Sequence, residues 1–283
     1  MSDLRIRPLD SLADYRACVA LQEDTWGAGF SECVPPAILK VSRILGGVAS
    51  GAFTPEGDLV GFVFGMTGPR DGRLVHWSDM LAVRADHRNR GLGRMLKLHQ
   101  RDEVLGLGVR RMHWTFDPLR PGNAHLNFNR LGGTAPEYVE QMYGETDSPL
   151  HRGIGTDRFV VHWELDSPRV KACLAGEASD VDAAEAARWP MALSAAPEEG
   201  ESVPGTPRLD LDAERVRVAI PPDIGGLMER HPALALAWRE ATRTVFRHYL
   251  DRGWIVRHVL RDASAPAYLL VRGTPPSSEV SHP

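Results

Sequence analysis

Arg88-Asn89-Arg90-Gly91-Leu92-Gly93 stands between an apolar strand, Met80-Leu81-Ala82-Val83, and a helix expected over Arg94 to Leu107. Two glycines one residue apart let the backbone turn sharply and approach a ligand closely. The first NH groups of the new helix point at whatever negative charge arrives. Arg88, Arg90 and Arg94 add positive charge at the same corner, which suits a diphosphate better than a single carboxylate. A plain strand-to-helix turn with solvated arginines has the same local pattern, so the surroundings must decide. Spacing excludes two other phosphate loops. No G-x-x-x-x-G-K-[ST] occurs, and Leu96 stands where a dinucleotide fingerprint needs its third glycine.

The 283 residues, 43% apolar and 25% charged, have the composition of an ordinary globular protein with one large core or two modest ones. A formal charge of −4 gives no support to nucleic-acid binding, which needs a basic face. Cys18, Cys33 and Cys173 are odd in number and widely spaced, against both a disulfide framework and a zinc site, and the scattered histidines suggest no metal. Neither a signal peptide nor a membrane-length apolar run is present in the sequence, so no membrane partner and a cytoplasmic location are expected.

Around the glycine loop the punctuation is regular. Strands are expected at Leu4 to Arg7, Gly47 to Phe53, Leu59 to Gly65, Leu74 to Val83, Arg111 to Phe116, Tyr138 to Tyr143 and Phe159 to Leu165. Helices are expected near Leu12 to Asp24, Pro36 to Ile44 and Asn123 to Leu131, the last ended by Gly132-Gly133. This is an α+β order, assigned to a domain over residues 1–166. Residues 167–210, rich in Ala, Glu, Pro, Ser and Gly, are expected to be a largely irregular linker with one short helix near Asp180 to Arg188. Residues 211–283 form a smaller α/β block with strands at Val216 to Ile220, Trp254 to Arg261 and Ala267 to Val271 around a helix from Pro232 to Asp251.

The pattern [QR]-x-x-G-x-[GA] after a strand, here Arg88 to Gly93, resembles the acyl-CoA-binding loop of the GNAT N-acyltransferases. The strand before it, the helix after it and the strand Arg111 to Phe116 fit the same family. The resemblance implies a mixed, mostly antiparallel central sheet flanked by helices. The ending Tyr249-Leu250-Asp251-Arg252-Gly253-Trp254 suggests that the last block is a partial GNAT-like repeat, although ordinary helix C-cap chemistry gives the same residues. Val75 to Val83 and Asn123 to Gly132 look like a two-part bacterial subgroup, some of whose members are associated with N-succinylation of amino acids. Acetyl-CoA or succinyl-CoA is the implied cosubstrate, and a small-molecule amine, an amino acid among the candidates, the implied acceptor. A homodimer is a further expectation.

Residue by residue, the resemblance implies that main-chain groups of Leu81, Ala82 and Val83 pair with the pantetheine arm by strand addition. Gly91, Leu92, Gly93 and Arg94 would hold the diphosphate by their NH groups, with Arg88 and Arg90 beside them. Trp77, Asp79, Leu81 and Val83 share one strand face, which makes Asp79 the candidate general base; capping or pairing with an arginine is the alternative. A carboxylate of ordinary pKa needs burial to do this work. The family's usual acid, a tyrosine, is replaced by Phe128, and Pro121 stands at the usual Asn position. Asn123 and Asn127 are candidate cofactor contacts or helix caps, and Tyr143 is a substitute acid or a packing residue. Trp26 and Phe30 line an acceptor pocket or pack a turn between helices. The competing function is a catalytically weak or inactive CoA-binding sensor or interaction protein. A valine at Gly91 is expected to block the diphosphate without disturbing the fold.

Overall fold

The computed structural model describes residues 4–70, 72–144, 153–177, 181–261 and 265–273. Its described residues fall into two compact units. Those up to Trp114, with Trp163–Ser167, form the first; those from Thr115 up to His162, and from Pro168 onward, form the second.

The first unit is a sheet with helices. Strand β1 (Arg5–Pro8) leads to α1 (Leu12–Trp26), whose start is fixed by a capping box in which the Ser11 hydroxyl accepts from the Asp14 amide. Asp14 also accepts two hydrogen bonds from Arg7, whose guanidinium holds that carboxyl well below the usual range. Helix α2 (Pro36–Ile44) begins on a proline, as a first-turn residue without a needed NH can. Then follow β2 (Val48–Phe53), β3 (Leu59–Arg70), β4 (Arg73–Val83), a short 3-10 turn at Ala85–His87, α3 (Leu92–Gly106) and β5 (Arg111–Phe116), whose last two residues belong to the second unit. The order is β1-β2-β3-β4-β5, antiparallel except for β4 with β5. Leu9, Tyr15, Leu21, Phe53, Phe62, Phe64 and Met80 fill the core of this unit.

In the second unit, α4 (Pro121–Ala124) runs into a π-helical turn, His125–Arg130, then β6 (Thr134–Val139) and β7 (Arg158–Glu164). Helices α5 (Pro168–Ala175) and α6 (Ala183–Ala186), strands β8 (Met191–Leu193), β9 (Ala195–Glu198), β10 (Glu201–Pro204) and β11 (Arg215–Ala219), helices α7 (Ile224–Arg230) and α8 (Pro232–Leu250), and strands β12 (Trp254–Leu260) and β13 (Ala267–Arg272) complete it. The sheet order is β7-β6-β12-β13-β11-β8, with only β11 and β8 parallel. Phe116, Phe128, Tyr138, Phe159, Phe246 and Tyr268 meet edge-on or tilted at its centre.

Several expectations are corrected here. The α+β class holds, but the compact units divide within β5 and not after residue 166. Residues 167–210 are not largely irregular: α5, α6 and β8 to β10 occupy much of them, and the proposed helix start at Asp180 lies outside the described residues. Strands of three or four residues are too short to show an alternation, and Pro197 and Pro204 read as breakers. The β9-β10 turn uses Glu199 and Gly200 with φ of 49° and 86°, the two-residue turn of positive φ that suits a tight hairpin. The strand expected at Tyr138 to Tyr143 ends at Val139, which leaves Tyr143 in a turn.

Candidate active site

Strand β4 pairs with β5 at His76↔Met112 and Trp77↔His113, and among the described residues no further pair follows. The two strands therefore part, and Ser78 on β4 and Trp114 on β5 are the first residues beyond the last pair. On its other side β4 pairs Ser78 with Gly65 and Met80 with Phe64, so Asp79 is an extra residue with no partner on β3, a β-bulge. The fork and the bulge thus coincide within two residues. Beyond the fork, β4 has no β5 partner among the described residues, and such an edge can accept an extended chain by main-chain pairing.

Burial along β4 keeps its alternation through the bulge: His76, Ser78, Met80 and Ala82 are buried, while Trp77, Leu81 and Val83 are partly exposed and Asp79 is exposed. The Asp79 carboxyl is nevertheless crowded by surrounding atoms. That loss of solvation pushes its pKa above the ordinary carboxylate range, against an opposing hydrogen bond from Trp77. This is the direction that general-base work requires.

At the other end of β4 the glycine loop has the expected form. Gly91 is the N-cap of α3 in the left-handed region, φ 80°, and no side chain caps the helix. The amides of Leu92 and Gly93 lie before the first i−4 acceptor, which is reached only at Met95, whose NH donates to Gly91 O. A Cβ on Gly93 would meet only Leu81 Cδ2, at 3.7 Å, and one on Gly91 would meet nothing within 4 Å. Gly91 is therefore required by its φ and not by space. A valine there strains the turn itself, contrary to the expectation from sequence. Arg88 is oriented by its Nε, which donates to Val83 O at 2.9 Å.

Beneath β4 runs a buried polar chain that sequence inspection missed. Lys97 Nζ donates to Ser78 Oγ at 2.6 Å, Ser78 Oγ donates to Gln100 Oε1 at 2.7 Å, and Gln100 Nε2 donates to His76 Nε2 at 3.0 Å. His76 Nδ1 faces Thr67 Oγ1 at 2.9 Å, and Thr67 gives its own proton to Gly46 O at 2.8 Å. With the Thr67 proton committed, His76 must carry its hydrogen on Nδ1 and accept at Nε2, which defines a neutral ring. Burial presses its pKa down to about 3. Leu92, Leu96, Lys97, Gln100 and Val104 are the buried residues of α3, so a lysine and a glutamine inside a helical apolar stripe were the available signal.

Gly65 makes the chain fit. A Cβ there would lie 2.3 Å from His76 Nε2, 2.5 Å from Trp77 O and 2.9 Å from Gln100 Nε2. Gly65→Ala is expected to cost about 2–3 kcal/mol through overpacking and loss of the His76–Gln100 bond. A thermal midpoint equal to that of wild type would refute this.

The remaining candidates sit elsewhere. Trp26 and Phe30 stack on each other at 5.5 Å and pack against the core of the first unit, Trp26 edge-on to Phe62. Asn123, Asn127 and Tyr143 belong to the second unit. Asn123 is exposed and, with Arg120, Gly122, Asp223 and neighbouring prolines, lines a cavity of about 240 Å³. Asn127 is buried, and its carbonyl accepts from the Gly133 NH. Tyr143 is 41% exposed, shares a hydrogen bond of 2.8 Å with Thr115 Oγ1, and lies under the Arg158 guanidinium at 5.2 Å; it is not a buried strand tyrosine. Phe128, at the usual acid position, is fully buried among aromatic rings. Among the described residues no cluster of His, Cys, Asp or Glu could hold a metal ion, and no helix is long and apolar enough to cross a membrane.

No family model and no curated protein matches the sequence. Among solved structures, a putative acetyltransferase from Salmonella typhimurium with acetyl-CoA is similar at 20% identity and TM-score 0.46, over 64% of this chain and 99% of that one. The ribosomal-protein-S18-alanine N-acetyltransferase of Escherichia coli is similar at 18% identity and TM-score 0.45, over 58% and 95%. A chain of a NatC complex bound to Gag peptide and CoA is similar at 15% identity and TM-score 0.47, over 58% and 99%. Two of these three structures hold CoA or acetyl-CoA.

Proposed function

We propose that this protein is a GNAT-type N-acyltransferase that moves an acyl group from acyl-CoA to the amine of a small molecule. The observation that carries the proposal is the parting of β4 from β5 immediately before the Asp79 bulge, on the same strand that ends in the uncapped glycine-loop helix. Diphosphate oxygens would dock on the amides of Gly91, Leu92, Gly93 and Arg94, with Arg88 and Arg90 alongside. The pantetheine arm would run back along Val83, Ala82 and Leu81 as an added strand. Asp79, with its raised pKa, would take the proton of the attacking amine directly or through a water. Acetyl-CoA and succinyl-CoA are both donors to test, and amino acids are the first acceptors. An odd number of widely spaced cysteines, Cys18, Cys33 and Cys173, suits a reducing cytoplasm.

Thermal shift with CoA, acetyl-CoA and succinyl-CoA tests the site, because a ligand that binds the native state raises the midpoint. Gly93→Ala is the informative variant: its methyl group meets only ordinary contact from Leu81, so the fold stands, yet under this proposal it would crowd the amides on which the diphosphate docks. Affinity is expected to fall at least about tenfold, roughly 1.4 kcal/mol. An undiminished shift in that variant would place the coenzyme elsewhere. A second function, a CoA sensor without turnover, is favoured by the burial of Phe128 at the acid position. Tight binding with no thiol release across a broad amine panel would select it.

A further inference from the structure

Lysine occurs only at positions 40, 97 and 171, so arginine supplies thirty of the 33 basic residues. Lys40 and Lys171 are exposed, whereas Lys97 is 5% exposed. The one buried cation position on α3 is thus filled by the residue that can shed its proton, in a chain that otherwise chooses the one that cannot. Among the described residues no carboxylate pairs with Lys97. Its Nζ has the Ser78 hydroxyl at 2.6 Å and the face of Trp114 at 4.0 Å. Desolvation alone pushes its pKa well below the ordinary lysine range, which favours the neutral amine.

Ser78 and Trp114 are the residues at which β4 and β5 part, so the amine bridges the root of the fork, one contact on each strand. From Val83, beside the glycine loop, to Ser78 is five residues of extended chain, about 17 Å at ~3.3 Å each. An extended pantetheine arm covers that length, which brings its thioester to the root. We propose that Lys97 is a self-acylation site, its Nζ accepting the acyl group of the thioester bound in the fork. This rests on the coenzyme site described above. The Lys97 nitrogen attacks the thioester carbonyl, the C–N bond forms as the C–S bond breaks, and the amine proton leaves with the sulfur as the free thiol of CoA. The product is a neutral amide, which removes the standing cost of a buried amine while keeping an NH for Ser78. An amide does not turn over, so the acylated chain is a modified state and not a catalytic intermediate.

The full chain is incubated with acetyl-CoA at pH 7.4, and acetylation is followed at each of the three lysines by peptide mass spectrometry, beside a CoA thermal shift. An exposed lysine is neutral in only about one part in a thousand at that pH. Lys97 is therefore expected to acetylate at least about tenfold faster than Lys40 and Lys171, and Gly93→Ala is expected to slow Lys97 alone. A clear CoA shift with Lys97 unmodified, or modified no faster than the exposed pair, overturns self-acylation and leaves the coenzyme site standing. No CoA shift at all removes the coenzyme site, and the self-acylation proposal with it.

Discussion

Asp79→Asn is expected to lower kcat/KM by about 10²- to 10⁴-fold while leaving the fold and the CoA thermal shift in place. The amide keeps the size of the carboxyl and removes its ability to take a proton. Because crowding raises the folded pKa of Asp79, its charged form is disfavoured by folding. The cost of that charge is present at neutral pH and is relieved as pH falls through the raised value. The variant therefore loses activity without losing stability, and its midpoint at pH 7 should match or exceed that of wild type. In the wild type the rate should fall on the acid side as Asp79 protonates, at a pH above the usual carboxylate value, and that limb should vanish in the variant. A variant that keeps both its rate and its acid limb removes Asp79 from the chemistry.

The strand, glycine loop and helix were legible because their chemistry is local: Gly91 answers a left-handed φ where the strand gives way to the helix. The fork and the bulge were not. Asp79 sits in an alternation of buried and open residues that never breaks, and its status as an extra residue depends on which partners β3 and β5 bring to either side. Register across strands is a non-local property that no window along one strand reports. Lys97 was hidden for a different reason. A lysine following Leu96 on a helix usually lies on the solvated flank, so its place beside the apolar stripe of α3 was a weak signal, and the positions of Ser78 and Trp114 show it turned inward. The hairpin of β9 and β10 was lost to strand length, its Glu199-Gly200 turn being the one clue in the sequence.

Arg239→Met is expected to destabilise the second unit by about 3–5 kcal/mol, because it strands a buried carboxylate. Arg239 Nη2 donates to Asp117 Oδ1 at 2.8 Å, with the two side chains 0% and 4% exposed, and Arg239 Nε donates to Ile154 O at 3.1 Å. Burial alone would raise the pKa of Asp117. Arg239, then Arg158 and the Leu119 amide outweigh it and hold the value below the ordinary one. A lowered folded pKa gives stability that is present above the unfolded value of about 4 and lost as pH falls through the folded one. Without Arg239 the burial effect dominates and the sign reverses, so the variant suffers most at neutral pH and recovers as Asp117 takes a proton on acidification. The gap between wild-type and variant midpoints should therefore narrow from pH 7.5 to pH 5. Replacing both residues, as Asp117→Leu with Arg239→Met, should recover much of the loss, since two apolar side chains leave no charge to desolvate. A gap that stays constant with pH, or a double variant as unstable as the single one, would mean that Asp117 is held by its other neighbours and that Arg239 serves chiefly to tie down Ile154.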